Sequence, residues 1–179
     1  MIADRGIRGL RVEEVAAAAG VSTSLLYYHF KNRAGLVNAA FEYANEQAPS
    51  TALRVASDRR SGYEALESAL LAELDDAPEV RDYSVVWGDV CANAVFDPDL
   101  RAGVRQVTRS WRDTLTGAIE RGTADGSIRS EIDAEEAADM LVTLIEGFSV
   151  RWLAGSLELA RARELLLRAM QTLRPSSAR

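Results

Sequence analysis

VEEVAAAAGVSTSLLYYHFKNRAGL, residues Val12 to Leu36, is the stretch from which the rest of the chain can be read. It reads as two short helices joined by a tight turn. The first, Val12 to about Ala18, sets Val15, Ala16 and Ala19 on one side. Gly20 stands where the chain must enter the left-handed region to end that helix. Val21 then plugs the turn, and Ser22 is placed to cap the next helix through its hydroxyl. Leu26 and Phe30 repeat at i and i+4 as a buried stripe. Thr23, Ser24, Leu25, Tyr27, Tyr28 and His29 are left facing outward or to the flank.

Such a face is strange for a helix that needs only to be soluble, and sensible for one lying in a DNA groove. Hydroxyls and aromatic edges reach phosphates or bases, and an apolar side chain such as Leu25 meets a thymine methyl. Lys31 and Arg33 follow where a third helix begins, so their cations can reach neighbouring phosphates. Arg11 occupies the N-cap position of the first helix, where a hydroxyl would be worth about 1 kcal/mol; its guanidinium is free to serve a phosphate instead. The candidate DNA-binding set is therefore Arg11, Ser22, Thr23, Ser24, Leu25, Tyr27, Tyr28, His29, Lys31 and Arg33. The spacing is that of a helix-turn-helix. His29 is the one histidine of the chain, with neither a nucleophile nor ligand-spaced partners nearby, so no catalytic or metal role is expected of it.

The run GVSTSLLYYHFKNRAGL, preceded by GLRVEEVAAAA, resembles the DNA-binding segment of the tetracycline-repressor (TetR) family of one-component transcriptional regulators. The specific part is the aromatic pair before His29, then Phe30, Lys31 and the Arg-x-x-Leu helix start at Arg33. The likeness is sharp over Gly6 to Ala44; beyond that it rests on length and helix rhythm. It implies an all-α fold of about nine helices, with an N-terminal helix-turn-helix domain and a larger helical effector-binding and dimerisation domain. Family members carry a longer first helix, so Met1 to Arg5 reads as the tail of a truncated one.

Composition is that of an ordinary soluble domain, 47% hydrophobic and 27% charged over 179 residues. A single cysteine, Cys91, excludes an intramolecular disulfide framework and a cysteine-rich zinc site, and reads as a buried apolar residue in a reducing cytoplasm. No apolar run is long enough to span a membrane, and no signal-peptide core opens the chain. The net charge of −6 looks wrong for a DNA binder. Its distribution resolves the conflict: between Arg5 and Arg33 five cations face two anions, a local balance of +3.

Along the chain, residues 1–47 are expected to form the DNA-binding domain, with Arg33 to about Gln47 as its connecting helix, and residues 48–179 the second domain. Pro49 and Ser57 to Gly62 read as the boundary loop. Further helices are expected at Tyr63–Asp75, Glu79–Val95, Pro98–Ala124, Ala134–Leu153 and Leu157–Leu173, with Asp97 and Asp133 as N-caps. The last two carry apolar residues in more directions than one core requires, which points to a homodimer with Ala138, Leu165 and Leu166 at the contact.

Tyr63, Leu66, Tyr83, Trp87, Cys91, Trp111, Phe148 and Trp152 are candidates to line an effector cavity. For each alone, plain core packing is the stronger reading. The expected partners are double-stranded operator DNA, a small apolar effector and a second copy of the chain, in the cytoplasm, with no cofactor. The rival readings are a regulator without a working pocket and a helical adaptor that has lost DNA binding.

Overall fold

Local signals account for the first four helices of the computed structural model, which describes residues 2–47 and 61–175. These are α1 (Ile2–Arg5), α2 (Val12–Ala19), α3 (Thr23–Phe30) and α4 (Arg33–Gln47). Gly20, at φ 67°, ends α2, its N–H donating to the Ala17 carbonyl while that of Val21 reaches Ala16. Two carbonyls that the helix would leave orphaned are thereby satisfied. The Ser22 hydroxyl accepts the Leu25 N–H at 3.2 Å and so caps α3. Val12, Ala16, Leu26 and Leu36 form a small core, with Val15, Val21 and Phe30 against it. Ala19, expected on that side, is exposed because α2 stops before its last turn is covered.

A second core lies beside the first. Ile7, Val37 and Phe41 need apolar cover that α1 to α4 do not supply, and they receive it from Val86, Val90, Ala94, Leu100 and Val107. Phe41 stacks on Trp87, with centroids 5.2 Å apart and planes 18° from parallel, and on Tyr83 at 6.4 Å. Residues 82–107 therefore belong to the same compact unit as residues 2–47. The boundary expected at 47/48 leaves out residues 82–107, which pack with the first unit. The segment expected as a boundary loop lies, up to residue 60, outside the described residues.

The other compact unit comprises residues 61–81 and 108–175 of the described chain. The helices after α4 are α5 (Gly62–Ala72), α6 (Pro78–Ala94), α7 (Pro98–Ala124), α8 (Ala134–Leu153) and α9 (Leu159–Gln171), giving nine among the described residues and no strand. Ser61 and Glu64 form a reciprocal capping box that starts α5. Asp133 caps α8 through the Glu136 N–H, and Asp97 accepts the Asp99 N–H at the start of α7.

Where α5 crosses α7, Gly62 and Gly122 bring backbone against backbone. A Cβ on Gly62 would stand 2.1 Å from the Gly122 nitrogen. Beyond the crossing, Asp125 accepts the Gly62 N–H at 2.7 Å, and Ser127 accepts that of Tyr63 at 3.1 Å. Hydrogen bonds from Ser127, then Gly62, hold the Asp125 carboxyl below its ordinary range. The core above this floor is large, running through Leu66, Leu70, Leu115, Ile119, Leu141, Ile145, Leu166 and Met170.

Two of the three residues expected at a dimer contact lie inside this core. Ala138 and Leu166 are fully buried within one chain, and Leu165 is half-buried. On α8 the outward positions are instead Met140, Thr143, Gly147 and Val150, with Met140 58% exposed.

Candidate nucleic-acid interface

α3 is held by one buried side chain, Leu26, and by Phe30 at its far end, so the rest of its surface is presented. Tyr28 is 81% exposed, Tyr27 and Leu25 43% each, and Ser24 and His29 are exposed beside them. Burying such side chains would be favourable by about 1.5–3 kcal/mol each for the large apolar ones. The fold leaves them in water along one short helix. The His29 ring meets Tyr28 edge-on at 5.3 Å and Phe30 at 6.4 Å. Thr23 is half-buried at the start of the helix.

Lys31 ends α3 at φ 63°, the one non-glycine residue with positive φ among those described. The conformation costs on the order of 1 kcal/mol for a side chain with a Cβ. It lets the chain double back into α4. There the Asn32 side chain accepts the Gly35 N–H at 2.7 Å, and Gly35 passes so close to the Phe30 carbonyl that a Cβ would lie 2.0 Å from its oxygen. The Lys31 side chain is exposed at this corner, as are Arg8 and Arg11 nearby in the chain.

Arg33 corrects the sequence reading. Its guanidinium donates to the carbonyls of Ile7 and of Leu10, the latter from Nε at 3.3 Å, and the residue is half-buried. Those carbonyls belong to the turn between α1 and α2, where the Ile7 carbonyl also accepts the Leu10 N–H at 3.1 Å, and a five-donor fork suits them. Arg33 builds the head rather than reaching out of it. Arg5 is engaged too, pairing with Glu14 at 3.1 Å on the surface. The cations left presented are therefore Arg8, Arg11 and Lys31. One residue absent from the sequence reading, Asp89 on α6, accepts the Ile7 N–H. No local signal could have found it, because its partner lies 82 residues away.

The eight candidate cavity residues are divided between the two units. Tyr83, Trp87 and Cys91 sit on α6 in the first unit, the two rings against Phe41. Tyr63, Leu66, Trp111, Phe148 and Trp152 belong to the second unit. Leu66 is a core residue, and Tyr63 is buried under the Arg174 guanidinium, 4.1 Å above its ring, with burial pushing its phenol up. Trp152 carries Arg81 5.2 Å over its ring. Trp111 and Phe148 are half-buried against the core. An open groove of about 1030 Å³ lies elsewhere in the second unit, between the end of α7 and the first half of α8. Its walls are Glu120, Asp133–Glu136, Asp139, Met140, Thr143 and Leu144, none of them among the eight candidate cavity residues.

A short helix of exposed hydroxyls and aromatic rings, set by a tight turn on a second helix and flanked by free cations, is the reading head of a helix-turn-helix DNA-binding regulator. The chain belongs to the TetR family. Residues 1–40 match the family described as bacterial regulatory proteins, tetR family, and residues 62–175 match the BetI-type transcriptional repressor C-terminal family. Among curated proteins it is similar to the HTH-type transcriptional repressor KstR2 of Rhodococcus jostii (strain RHA1), with 29% identity over 141 residues, 76% of this chain and 67% of that one. A crystal structure of a TetR-family regulator from Rhodococcus sp. superposes with a TM-score of 0.87 at 39% identity, covering 97% of this chain and 92% of that one. A regulator from Saccharomonospora viridis, solved in complex with choline, shares the fold at a TM-score of 0.81 and 24% identity, over 95% and 89% of the two chains. No helix among the described residues is long and apolar enough to cross a membrane.

Proposed function

We propose that the protein is a homodimeric, cytoplasmic repressor that occupies a near-palindromic operator and leaves it when a small, largely apolar effector binds the second unit. The observation that carries the reading is the presented face of α3, where Ser24, Leu25, Tyr27, Tyr28 and His29 stand in water beside Lys31. In this reading the rings and hydroxyls enter the major groove, while Lys31, Arg11 and Arg8 take phosphates. The dimer contact is moved from Ala138 and Leu166 to the outward stripe of α8, Met140, Thr143, Gly147 and Val150. Their spacing lies along one helix face, and small residues between larger ones allow close approach. A two-fold pairing there carries two reading helices whose separation must match major-groove faces about 34–36 Å apart, or a multiple of that. For the effector, the half-buried rings of Trp111 and Phe148 offer apolar contact. The choline of the Saccharomonospora protein adds a cationic class to the trial.

Selection of duplexes from a random library tests the reading first, and an inverted repeat is the expected product. Tyr28→Ala and Lys31→Ala should then weaken binding with the fold and dimer intact. Lys31→Ala should also flatten the salt dependence by about one unit. Light scattering on Gly147→Glu should report monomers. A panel of apolar acids and quaternary ammonium ions, scored by a rise in melting temperature and by loss of operator binding, tests the effector. Selection of no sequence, with binding by Tyr28→Ala and Lys31→Ala equal to the parent, overturns the assignment of the head.

A further inference from the structure

We infer that Asp89 is a positioning residue for operator binding: from α6 it grips the turn between α1 and α2 and so fixes the direction in which the reading head leaves the rest of the first unit. The inference rests on the DNA-binding reading of α3.

Three observations meet at this carboxylate. Gly6, in the left-handed region at φ 69°, brings the turn so near that a Cβ on it would lie 3.0 Å from Asp89 Oδ2. The Ile7 N–H donates to that same oxygen. The other oxygen, Oδ1, accepts from Asn93 Nδ2 at 2.8 Å, and the same amide nitrogen also reaches the Asp89 carbonyl at 2.8 Å, so the rotamer of Asp89 is itself fixed. From the opposite side Arg33 donates to the Ile7 and Leu10 carbonyls. The Ile7 residue is thus held at its N–H by α6 and at its carbonyl by α4.

The placement matters because the first unit has two cores. The one under α3 consists of Val12, Ala16, Leu26 and Leu36; the other contains Ile7, Val37 and Phe41 with residues of α6 and α7. Two stretches of chain pass between them. One is α4, which gives Leu36 to the first and Val37 and Phe41 to the second. The other is the turn from Ile7 to Leu10. A single helix leaves the head free to swing about it, whereas a second attachment removes that freedom. Apolar burial of Ile7 is not directional, and the hydrogen bond to Asp89 is. A two-fold operator needs both α3 helices at a matched separation, so slack in each head lowers affinity for the full site and spares a half-site.

The test uses the full-length protein, the selected palindrome and a duplex carrying one half-site. Asp89→Ala should lower affinity for the palindrome tenfold or more and for the half-site by less than twofold. The Ile7 amide, followed by NMR hydrogen exchange, should lose its protection. Asn93→Ala, which keeps the Ile7 contact but frees the Asp89 rotamer, should cost about threefold on the palindrome; if Asp89→Ala does not fold, this variant carries the test. The exchanged pair, Asp89→Asn with Asn93→Asp, keeps an acceptor for Ile7 and reverses the donor between the two side chains. It should restore the palindrome to within twofold. Equal losses on both duplexes, or parental affinity for the palindrome with a fast-exchanging Ile7 amide, overturns the inference. A parent that binds no duplex sinks the functional reading instead, while the Ile7 amide still reports the contact by itself.

Discussion

The core beneath the reading helix holds four buried residues; the main core of the second unit holds eighteen. The first cannot be stable by its own burial, since small cores barely offset the entropy of ordering the chain around them. It borrows order from its turns: Gly20 in the left-handed region, the Ser22 cap, the Asn32–Gly35 hydrogen bond and the Arg33 fork. The second unit orders itself by area and by close helix approach. A regulator needs this asymmetry. The part that presents side chains to DNA is kept small and held at its corners, and local opening draws on its low end of stability.

Two pairs of substitutions and two single ones sharpen the contrast, beginning with the most severe. Gly62→Ala drives a Cβ into the Gly122 backbone and should cost upwards of about 4 kcal/mol, because two helices must part. Gly147→Ala, in open space on α8, should stabilise the isolated chain by about 0.5–1 kcal/mol. Denaturant midpoints with an unchanged slope would check both. Next, Leu66→Ala should cost about 3 kcal/mol globally, whereas Leu26→Ala should loosen the head alone. Fluorescence from Trp111 and Trp152 would then stay native in Leu26→Ala while DNA binding is lost. One cooperative loss in both variants would mean that the two regions are not separable.

Third is Glu73, half-buried at the end of α5, where desolvation by burial pushes its carboxyl up to about 7. Raised above its unfolded value, this group contributes stability that is fully present below about pH 4.5 and lost as the pH rises through about 7. Glu73→Gln should therefore gain about 3 kcal/mol at most over the parent at pH 8 and little at pH 4. Thermal melts across that window decide it. The smallest effect belongs to Lys31→Gly, which relieves the positive φ and should stabilise by about 1 kcal/mol or less while weakening DNA binding. A variant that lost both stability and affinity would show that the corner is not strained.

What the sequence made legible was local. Gly20, Ser22 and the Leu26–Phe30 stripe act within a few residues of themselves, and so the head, its exposed face and the helix starts at Asp97 and Asp133 could be read in advance. What it hid was partnership at long range. Arg33 looked like a phosphate ligand until the carbonyls of Ile7 and Leu10 claimed it. Nor could the sequence show that Phe41 from α4 stacks on both Trp87 and Tyr83. On α8 the apolar residues could be counted but not aimed: Ala138 turned inward where helices meet closely, and Met140, the larger side chain, was left outside. Counting hydrophobic directions overstated the surplus on the last helix, where Ala162, Leu166 and Met170 already form a single buried stripe.

The Gly62–Gly122 crossing has a consequence in genetics. Every amino acid reached from a glycine codon by one base change carries a Cβ, so Gly62, which faces the Gly122 backbone, has no neutral neighbour in sequence space. The two sites differ in what blocks them: a Cβ on Gly62 meets the Gly122 backbone, whereas one on Gly122 would lie 2.6 Å from Cδ1 of Ile128, a side chain with room to turn. In a saturation library scored for a folded product, the Gly62 column should be empty and the Gly122 column thin, filling when Ile128 is made smaller, while Gly88, Gly117 and Gly147, with nothing within 4 Å of an added Cβ, should accept other residues. Drift in this lineage is therefore funnelled away from one helix crossing and onto the helix faces around it.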